Sequence, residues 1–160
     1  MNDERIQGLI LRKQDMYYTH MDVIFRALGN IEKNYNWLIS DYECNLYTEP
    51  FSIEKRDEYL WLSGEDLSNF VNGNNYTQFI WGSFAAFGKG ITLDEILAFP
   101  IPRTTEGLFN DKELKMQHPL STLEIVAIDS GSVIMLSKNP KYIESFTVTF
   151  LLAEEINILI

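Results

Sequence analysis

The spacing of apolar residues changes along this chain, and each spacing predicts a helix or a strand. Between residues 15 and 31, apolar side chains recur at steps of three and four, which is the pattern of one face of an amphipathic helix. These residues are Tyr17, Met21, Ile24, Phe25, Leu28 and Ile31. Alternation with a period of two predicts strands over 35–44 and 76–87, and a near-continuous apolar run predicts a central strand over 123–128.

Shorter patterns predict the remaining strands. Residues 7–13 and 58–62 each have the length and composition of a short strand. The turn residues 129–132 connect the central strand to a hairpin partner over 133–137. Residues 154–160 are expected to form a short helix or a docked tail.

Three helix starts are marked by residues that cap a helix. In a capping box, a Ser or Thr side chain accepts a hydrogen bond from the backbone N–H three residues later, and an acidic side chain at that later residue accepts one in return. An Asn before a Pro is likewise typical of a helix N-terminus. The three signals are Ser63 with Asp66, Thr92 with Glu95, and Asn139 with Pro140.

Strands outnumber long helices in this order of elements, and the predicted hairpin is antiparallel. These features predict an α+β fold with a mixed, mostly antiparallel sheet and helices packed mainly on one face. Charge is spread evenly, and no linker-like segment separates two halves. Residues 1–160 are therefore predicted to form a single α+β domain.

Alternation also predicts which side chains share a face of the sheet. In the strand 35–44, one face is predicted to hold Leu38, Ser40 and Tyr42, and the other face Trp37, Ile39 and Asp41. In the strand 76–87, one face is predicted to hold Thr77, Phe79, Trp81 and Ser83, with a bend at Gly82.

The composition is that of a folded, acidic protein. Of the 160 residues, 46% are hydrophobic and 22% are charged, which is enough apolar surface to form a core without a disulfide or a metal. The net charge is −10, which would repel a nucleic-acid duplex, and no local basic patch offsets it. The sequence therefore argues against a disordered chain and against a nucleic-acid partner.

No segment of the sequence has the features of a secretory signal or a membrane helix. The first apolar stretch, 9–11, is interrupted at once by Arg12 and Lys13. The most apolar window, 79–87, is shorter than a membrane helix, which needs about 20 residues. The expectation is a soluble, cytoplasmic protein with no membrane partner.

The sequence contains no complete motif for nucleotide or metal chemistry. The segment 82–90 has the glycines and lysine of a phosphate loop, but five residues separate the glycines instead of four, and Gly90 replaces the required Ser or Thr. Cys44, expected at a strand end, is too little for a thiolate metal site. His20 is expected on the surface of the first helix and His118 in an extended segment. No metal and no cofactor is predicted.

Carboxylates offer the main route to catalysis. Asp41 and Glu43 lie two residues apart on one strand, and Glu124 interrupts an otherwise apolar strand. Glu124 has two interpretations: it lies on the exposed face of an edge strand, or it is a buried, paired carboxylate. A pocket lined by these carboxylates with shifted pKa values would indicate a hydrolase. No catalytic residue is assigned from the sequence.

Aromatic residues point to a protein partner. They make up 13% of the chain and are interleaved with Asn, Asp and Glu. Stacking on single-stranded nucleic acid would require Lys and Arg between them. Large aromatic side chains are also enriched in protein interfaces. Because the residues between them include Asp and Glu, a basic protein is the favoured partner.

The predicted interface is the polar, irregular stretch 99–120 together with the acidic residues next to it. A loop of this length on a rigid scaffold is typical of a recognition segment. The predicted partner-binding residues are Asp94, Glu95, Glu106, Leu108, Phe109, Asp111 and Glu113. The alternative is that Leu108 and Phe109 fold back on the core and order the loop.

Several segments resemble a group of uncharacterised small acidic bacterial α+β proteins. The segments are 35–44, 76–87 (YTQFIWGSFAAF), 117–120, 123–126 and 129–130. Proteins of this type resemble immunity proteins of polymorphic-toxin systems, which neutralise a cognate toxin. The resemblance implies a non-enzymatic inhibitor that acts by protein–protein contact, with a basic toxin domain as its partner. The alternatives are a structural or regulatory interaction domain with an unrelated partner and, less favoured, a carboxylate-based hydrolase.

Overall fold

The residues that the structure describes form one antiparallel sheet of seven strands. The computed structural model describes residues 6–12, 20–44, 59–73, 77–104 and 114–156. The strands are β1 (Gln7–Leu11), β2 (Tyr35–Cys44), β3 (Tyr59–Ser63), β4 (Phe79–Gly88), β5 (Leu123–Ile128), β6 (Ser132–Ser137) and β7 (Glu154–Glu155). Their order across the sheet is β3-β2-β4-β5-β6-β1-β7, and every described pairing is antiparallel. The predicted α+β fold is confirmed.

In the described part of the chain, three helices cover one face of the sheet, which we call the helix face. They are α1 (Met21–Ala27), α2 (Gly64–Gly73) and α4 (Pro140–Thr149). Their apolar sides bury the larger core against alternate residues of the strands. From the sheet this core includes Leu11, Trp37, Leu62, Phe84, Ile125 and Met135, and from the helices Ile24, Phe25, Leu67, Val71 and Phe146.

The opposite face, which we call the loop face, is covered by the short helix α3 (Leu93–Leu97) and by irregular chain before and after residues 105–113. One apolar cluster on this face consists of Leu38, Ala85, Phe87 and Ile96. A second consists of Ile10, Met116, Val126, Ile134 and Leu136. The prediction that helices pack mainly on one face is therefore confirmed, and β4 and β5 are buried on both sides.

The predicted cap residues act at the helix starts. Thr92 and Glu95 form a complete capping box, in which the Thr92 side chain accepts from the Glu95 N–H and the Glu95 carboxylate accepts from the Thr92 N–H. The Asn139 side chain accepts from the N–H of Lys141 at the start of α4. Ser63 Oγ accepts from the Asp66 N–H at 3.1 Å. Each cap satisfies a backbone N–H that a helix leaves without an internal partner.

The first helix is shorter than the apolar stripe that predicted it. In the described residues α1 begins at Met21 and ends at Ala27. Gly29 and Asn30 follow with φ of 86° and 58°, the left-handed conformation that commonly ends a helix. Ile31 then starts a separate 3-10 helix, Ile31–Asn34.

A bulge in β2 corrects the predicted assignment of side chains to faces. Asp41 has φ of 52°, and the pairing with β4 shifts between Ser40 and Glu43. The extra residue reverses the alternation beyond it. Tyr42 therefore packs against the helix-face core, opposite to Ser40, whereas Asp41 contacts Arg103 and Thr104 on the loop face.

The alternation in β4 also changes, near the predicted bend at Gly82. Phe79 belongs to the helix-face core together with Phe84 and Ala86. With a strict period of two, residue 79 would face the side opposite to residues 84 and 86, so the alternation must change between them. Phe79 and Ser83 therefore lie on opposite faces, in contrast to the prediction.

The C-terminal part of the described chain is a docked strand rather than a helix. Glu154 and Glu155 pair with Ile10 and Leu9 of β1, and the Ile156 N–H donates to the Gly8 carbonyl. The helix expected over 154–160 is therefore wrong for residues 154–155, while the docked tail is confirmed there. Residues 157–160 lie outside the described residues.

Candidate functional site

Glu124 is a fully buried carboxylate in the middle of the sheet. It lies on the loop-face side of β5, which runs between β4 and β6. Its Oε1 accepts from the Gln117 N–H at 2.8 Å and its Oε2 from the His118 N–H at 3.0 Å. The Ser121 hydroxyl lies 2.6 Å from Oε2. Of the two interpretations from the sequence, the exposed edge-strand position is wrong and the buried position is correct. The partners of the carboxylate are hydrogen-bonding groups of the chain 117–121.

His118 is also fully buried, between two aromatic rings. The rings of Phe87 and Phe99 lie 4.9 Å and 5.3 Å from the imidazole, centroid to centroid, in edge-to-face arrangements. His118 Nδ1 accepts from the Leu120 N–H at 3.1 Å, so Nε2 carries the proton and donates to the Ile96 carbonyl at 2.8 Å. The predicted extended, loop-borne histidine is thus a core residue that attaches α3 to the segment 117–121.

Burial controls the protonation of both groups. It raises the pKa of Glu124, and the hydrogen bonds from Ser121, Gln117 and His118 oppose that rise without cancelling it. Burial lowers the pKa of His118, since it disfavours the charged imidazolium as it disfavours the charged carboxylate. A protonated Glu124 fits the geometry, because its O–H can donate to Ser121 Oγ while Ser121 donates to the His118 carbonyl, 3.0 Å away.

We call Gln117, His118, Ser121 and Glu124 the Glu124 cluster, and its geometry does not support nucleophilic catalysis. A catalytic base must reach the hydroxyl it activates. Both ring nitrogens of His118 are occupied by backbone groups, and Ser121 bonds to the His118 carbonyl rather than to its ring. The cluster instead holds irregular chain against the sheet.

A second set of hydrogen bonds connects the chain on the two sides of residues 105–113. The Gln117 side chain accepts from the Arg103 N–H and donates to the Arg103 carbonyl, both at 2.8 Å. The Arg103 guanidinium bonds to Asp41 Oδ1 at 2.9 Å, and Asp41 Oδ2 accepts from the Thr104 N–H at 3.1 Å. Ser40 Oγ donates to the Pro102 carbonyl. Polar contacts therefore hold the irregular chain that covers the loop face against β2 and β5.

The surface formed on this support carries exposed acidic and apolar side chains. Asp94, Glu95 and Leu97 are exposed on α3, and Phe99 is exposed two residues after its end. Leu97 and Phe99 are 40% and 41% exposed. We call these four residues the α3 surface. Leu97 lies three residues after Asp94 and so on the same side of the helix.

The structure describes two of the seven predicted partner-binding residues. Asp94 and Glu95 are exposed as expected, although Glu95 also serves in the capping box. Glu106, Leu108, Phe109, Asp111 and Glu113 lie outside the described residues. Leu97 is not among the predicted residues. In the sequence, Leu93, Ile96 and Leu97 have the spacing of one apolar helix side, whereas the structure buries Ile96 and exposes Leu97.

The carboxylates considered for hydrolysis have separate surroundings. Asp41 is paired with Arg103, Glu43 is exposed, and Glu124 is buried beneath the chain 117–121. In the described ranges, no group of three or more His, Cys, Asp or Glu residues has an arrangement that could hold a metal ion. The helices of the same ranges include none with the length and apolar character needed to cross a membrane.

We expect the substitution Glu124→Gln to change how stability depends on pH. Because the pKa of Glu124 is raised on folding, its protonation favours the fold fully below the usual value of 4.5, and this contribution is lost as the pH rises toward the folded-state pKa. The stability advantage of the natural chain over the variant should therefore shrink as the pH rises above 4.5. Urea unfolding across a pH series measures it.

The matched control for this experiment is Glu144→Gln, which alters an exposed carboxyl on α4. Its stability difference from the natural chain should be small at every pH. A Glu124→Gln difference that is constant with pH, or that grows as the pH rises, would contradict the assignment of a raised pKa.

Comparisons with protein-family models, with curated proteins and with solved structures find no match to this chain.

Proposed function

We propose that this protein is a non-enzymatic, acidic binding protein that acts through protein–protein contact, as an immunity-type inhibitor of a cognate bacterial toxin. The observation that carries the proposal is the contrast between the Glu124 cluster and the α3 surface. In the Glu124 cluster, the carboxylate of Glu124 and the imidazole of His118 are buried and occupied by structural hydrogen bonds. The side chains presented on a braced surface are acidic and apolar.

The charge of the chain indicates what kind of partner this surface would meet. A net charge of −10 attracts a basic protein over distances beyond direct contact and so accelerates its association. Many toxin domains that act on nucleic acids need a basic active site for their own substrate. An acidic protein can cover such a site by contact alone, without a catalytic residue of its own.

The proposal is tested by partner inhibition and by association kinetics. The partner is captured with the full chain from the native cell, and its toxicity is then measured in cells with and without this protein. We expect co-expression to restore growth and the association rate to fall about tenfold or more from low to high ionic strength, since salt screens long-range attraction. Stopped-flow mixing of the purified proteins measures the rate.

Two results would contradict the proposal. A partner that binds but keeps its full toxicity would favour a structural or regulatory interaction domain instead. An association rate that is insensitive to salt would show that charge does not guide the encounter.

A further inference from the structure

We propose that the α3 surface is the docking site for a basic protein segment, one that presents a large apolar side chain flanked by Lys or Arg. This inference rests on the proposed function and adds the surface and the chemistry of the partner. The apolar side chain would contact Leu97 and Phe99, and the cations would meet the carboxylates of Asp94 and Glu95.

The exposure of Leu97 and Phe99 is the first argument. Each has about two fifths of its surface exposed, so each presents part of its apolar side chain to water. An apolar side chain of this kind gains binding energy when a partner removes its exposed part from water. The two residues follow the buried Ile96, which fixes α3 to the loop-face core.

The rigidity of the surface is the second argument. The capping box fixes the first turn of α3. The Phe99 ring stands against His118, which is bonded to the Ile96 carbonyl and belongs to the Glu124 cluster. A surface already ordered before binding loses less conformational entropy when the complex forms.

Charge complementarity selects a basic occupant. The Asp94 carboxylate is exposed and has no ion-pair or hydrogen-bond partner among the described residues. The nearest cation along the chain, Lys89, is paired with Glu65 at 3.1 Å. A partner cation would therefore meet an unpaired carboxylate, and the attraction adds to that of the whole acidic chain.

A second apolar patch provides an internal control. Val148 and Leu151, near the end of α4, are 73% and 84% exposed. Leu151 lies after the helix, and the nearby Glu154 is already in an ion pair with Arg12. These side chains belong to the α4 end of the helix face, whereas the capping box and the Glu124 cluster that order the α3 surface lie on the loop face.

The test uses random short peptides displayed on phage and selected against the full chain. We expect the enriched peptides to be positively charged with a large apolar residue among the charges. Their affinity should fall at least about tenfold for the variant Leu97→Ser with Phe99→Ser, and also for Leu97→Arg, which repels cations and leaves the Phe99 contact with His118 intact. The control variant, Val148→Ser with Leu151→Ser, should keep the affinity.

The outcomes separate this inference from the proposed function. Basic peptides that keep their affinity for Leu97→Arg but lose it for the control variant would overturn the docking site and leave an acidic binding protein intact. Enriched peptides that are neutral or acidic would overturn the partner chemistry. A melting temperature lowered by Leu97→Ser as strongly as by a core substitution would show that part of this chain covers the surface, and would also overturn the inference.

Discussion

The substitution His118→Ala is expected to reduce the free energy of unfolding by about 3 kcal/mol. Two losses combine. Removing the imidazole leaves a void between the rings of Phe87 and Phe99. The Ile96 carbonyl and the Leu120 N–H also lose the ring nitrogens to which they are hydrogen-bonded. Denaturant unfolding near neutral pH, where a buried imidazole of lowered pKa is uncharged, measures the difference.

The matched control is His20→Ala. His20 immediately precedes α1, is only partly buried, and makes no side-chain cap to the helix. Its removal should change stability by less than about 0.5 kcal/mol. Equal effects of the two substitutions would contradict the assignment of His118 as a structural connection between α3 and the chain 117–121.

The effect of His118→Ala on stability should also depend on pH, in a direction that the pKa of His118 sets. Because burial lowers the pKa of His118, its neutral form stabilises the fold above the usual value of 6.5, and this contribution is lost as the pH falls through the lowered, folded-state pKa. The stability difference between the natural chain and His118→Ala should therefore narrow in acid. Glu124 acts in the opposite direction, since the pKa of its carboxyl is raised. Folding therefore favours the uncharged form of both groups: the neutral imidazole of His118 and the protonated carboxyl of Glu124.

The elements that the sequence predicted well depend on neighbours within a few residues. The Thr92–Glu95 capping box, the Asn139 cap and the hairpin of β5 and β6 all appear as expected. In the two caps the interacting atoms belong to one turn of chain, and in the hairpin a short turn after Ile128 brings two adjacent strands together. Local chemistry therefore decides these structures before distant packing contributes.

The parts of the candidate site that escaped prediction depend on distant residues. Asp41 adopts a left-handed conformation where the carboxylate meets Arg103 and Thr104, which are about sixty residues later in the chain. That bulge reverses the faces of the residues after it, and no local pattern in β2 indicates it. Glu124 looked compatible with an exposed edge strand because its three donors come from chain that the sequence marked only as irregular.

One signal in the sequence could have indicated the Glu124 cluster. Glu124 is the one charged residue in an otherwise apolar strand, and a carboxylate buried in a central strand needs donors close by. Gln117 to Ser121 precede it directly and supply two backbone N–H groups and a hydroxyl. The same segment carries His118, which bonds to α3, so residues 117–121 both satisfy Glu124 and hold the α3 surface in place.

The substitution Gly64→Ala is expected to destabilise the fold by about 3 kcal/mol or more and to lower the melting temperature by about 10 °C. Gly64 begins α2 and lies against the 3-10 helix and the start of β2. A Cβ at this position would lie 2.3 Å from the Glu32 carbonyl oxygen, 2.5 Å from that of Tyr35 and 2.8 Å from Lys33 Cα. All three are backbone atoms, so no rotation of a side chain relieves the clash.

The position of Gly64 explains why the effect should extend beyond one contact. Glu32 is buried, and its carboxylate accepts from the Ser68 hydroxyl of α2 at 3.0 Å while its carbonyl accepts from the Trp37 indole at 2.9 Å. Displacing α2 to make room for a methyl group would separate Ser68 from Glu32, and displacing the 3-10 helix instead would separate Glu32 from Trp37. Trp37 belongs to the main core, and its loss of packing would spread to the helix face.

The other end of the same helix supplies the control. Gly73 has no atom within 4 Å of the position that a Cβ would take. Since alanine is the better helix former, Gly73→Ala should leave stability unchanged or raise it by up to about 1 kcal/mol. Thermal unfolding of the two variants side by side compares one chemical change in two environments. If Gly64→Ala melted within a few degrees of Gly73→Ala, the close approach of α2 to the backbone of Glu32 and Tyr35 would be disproved.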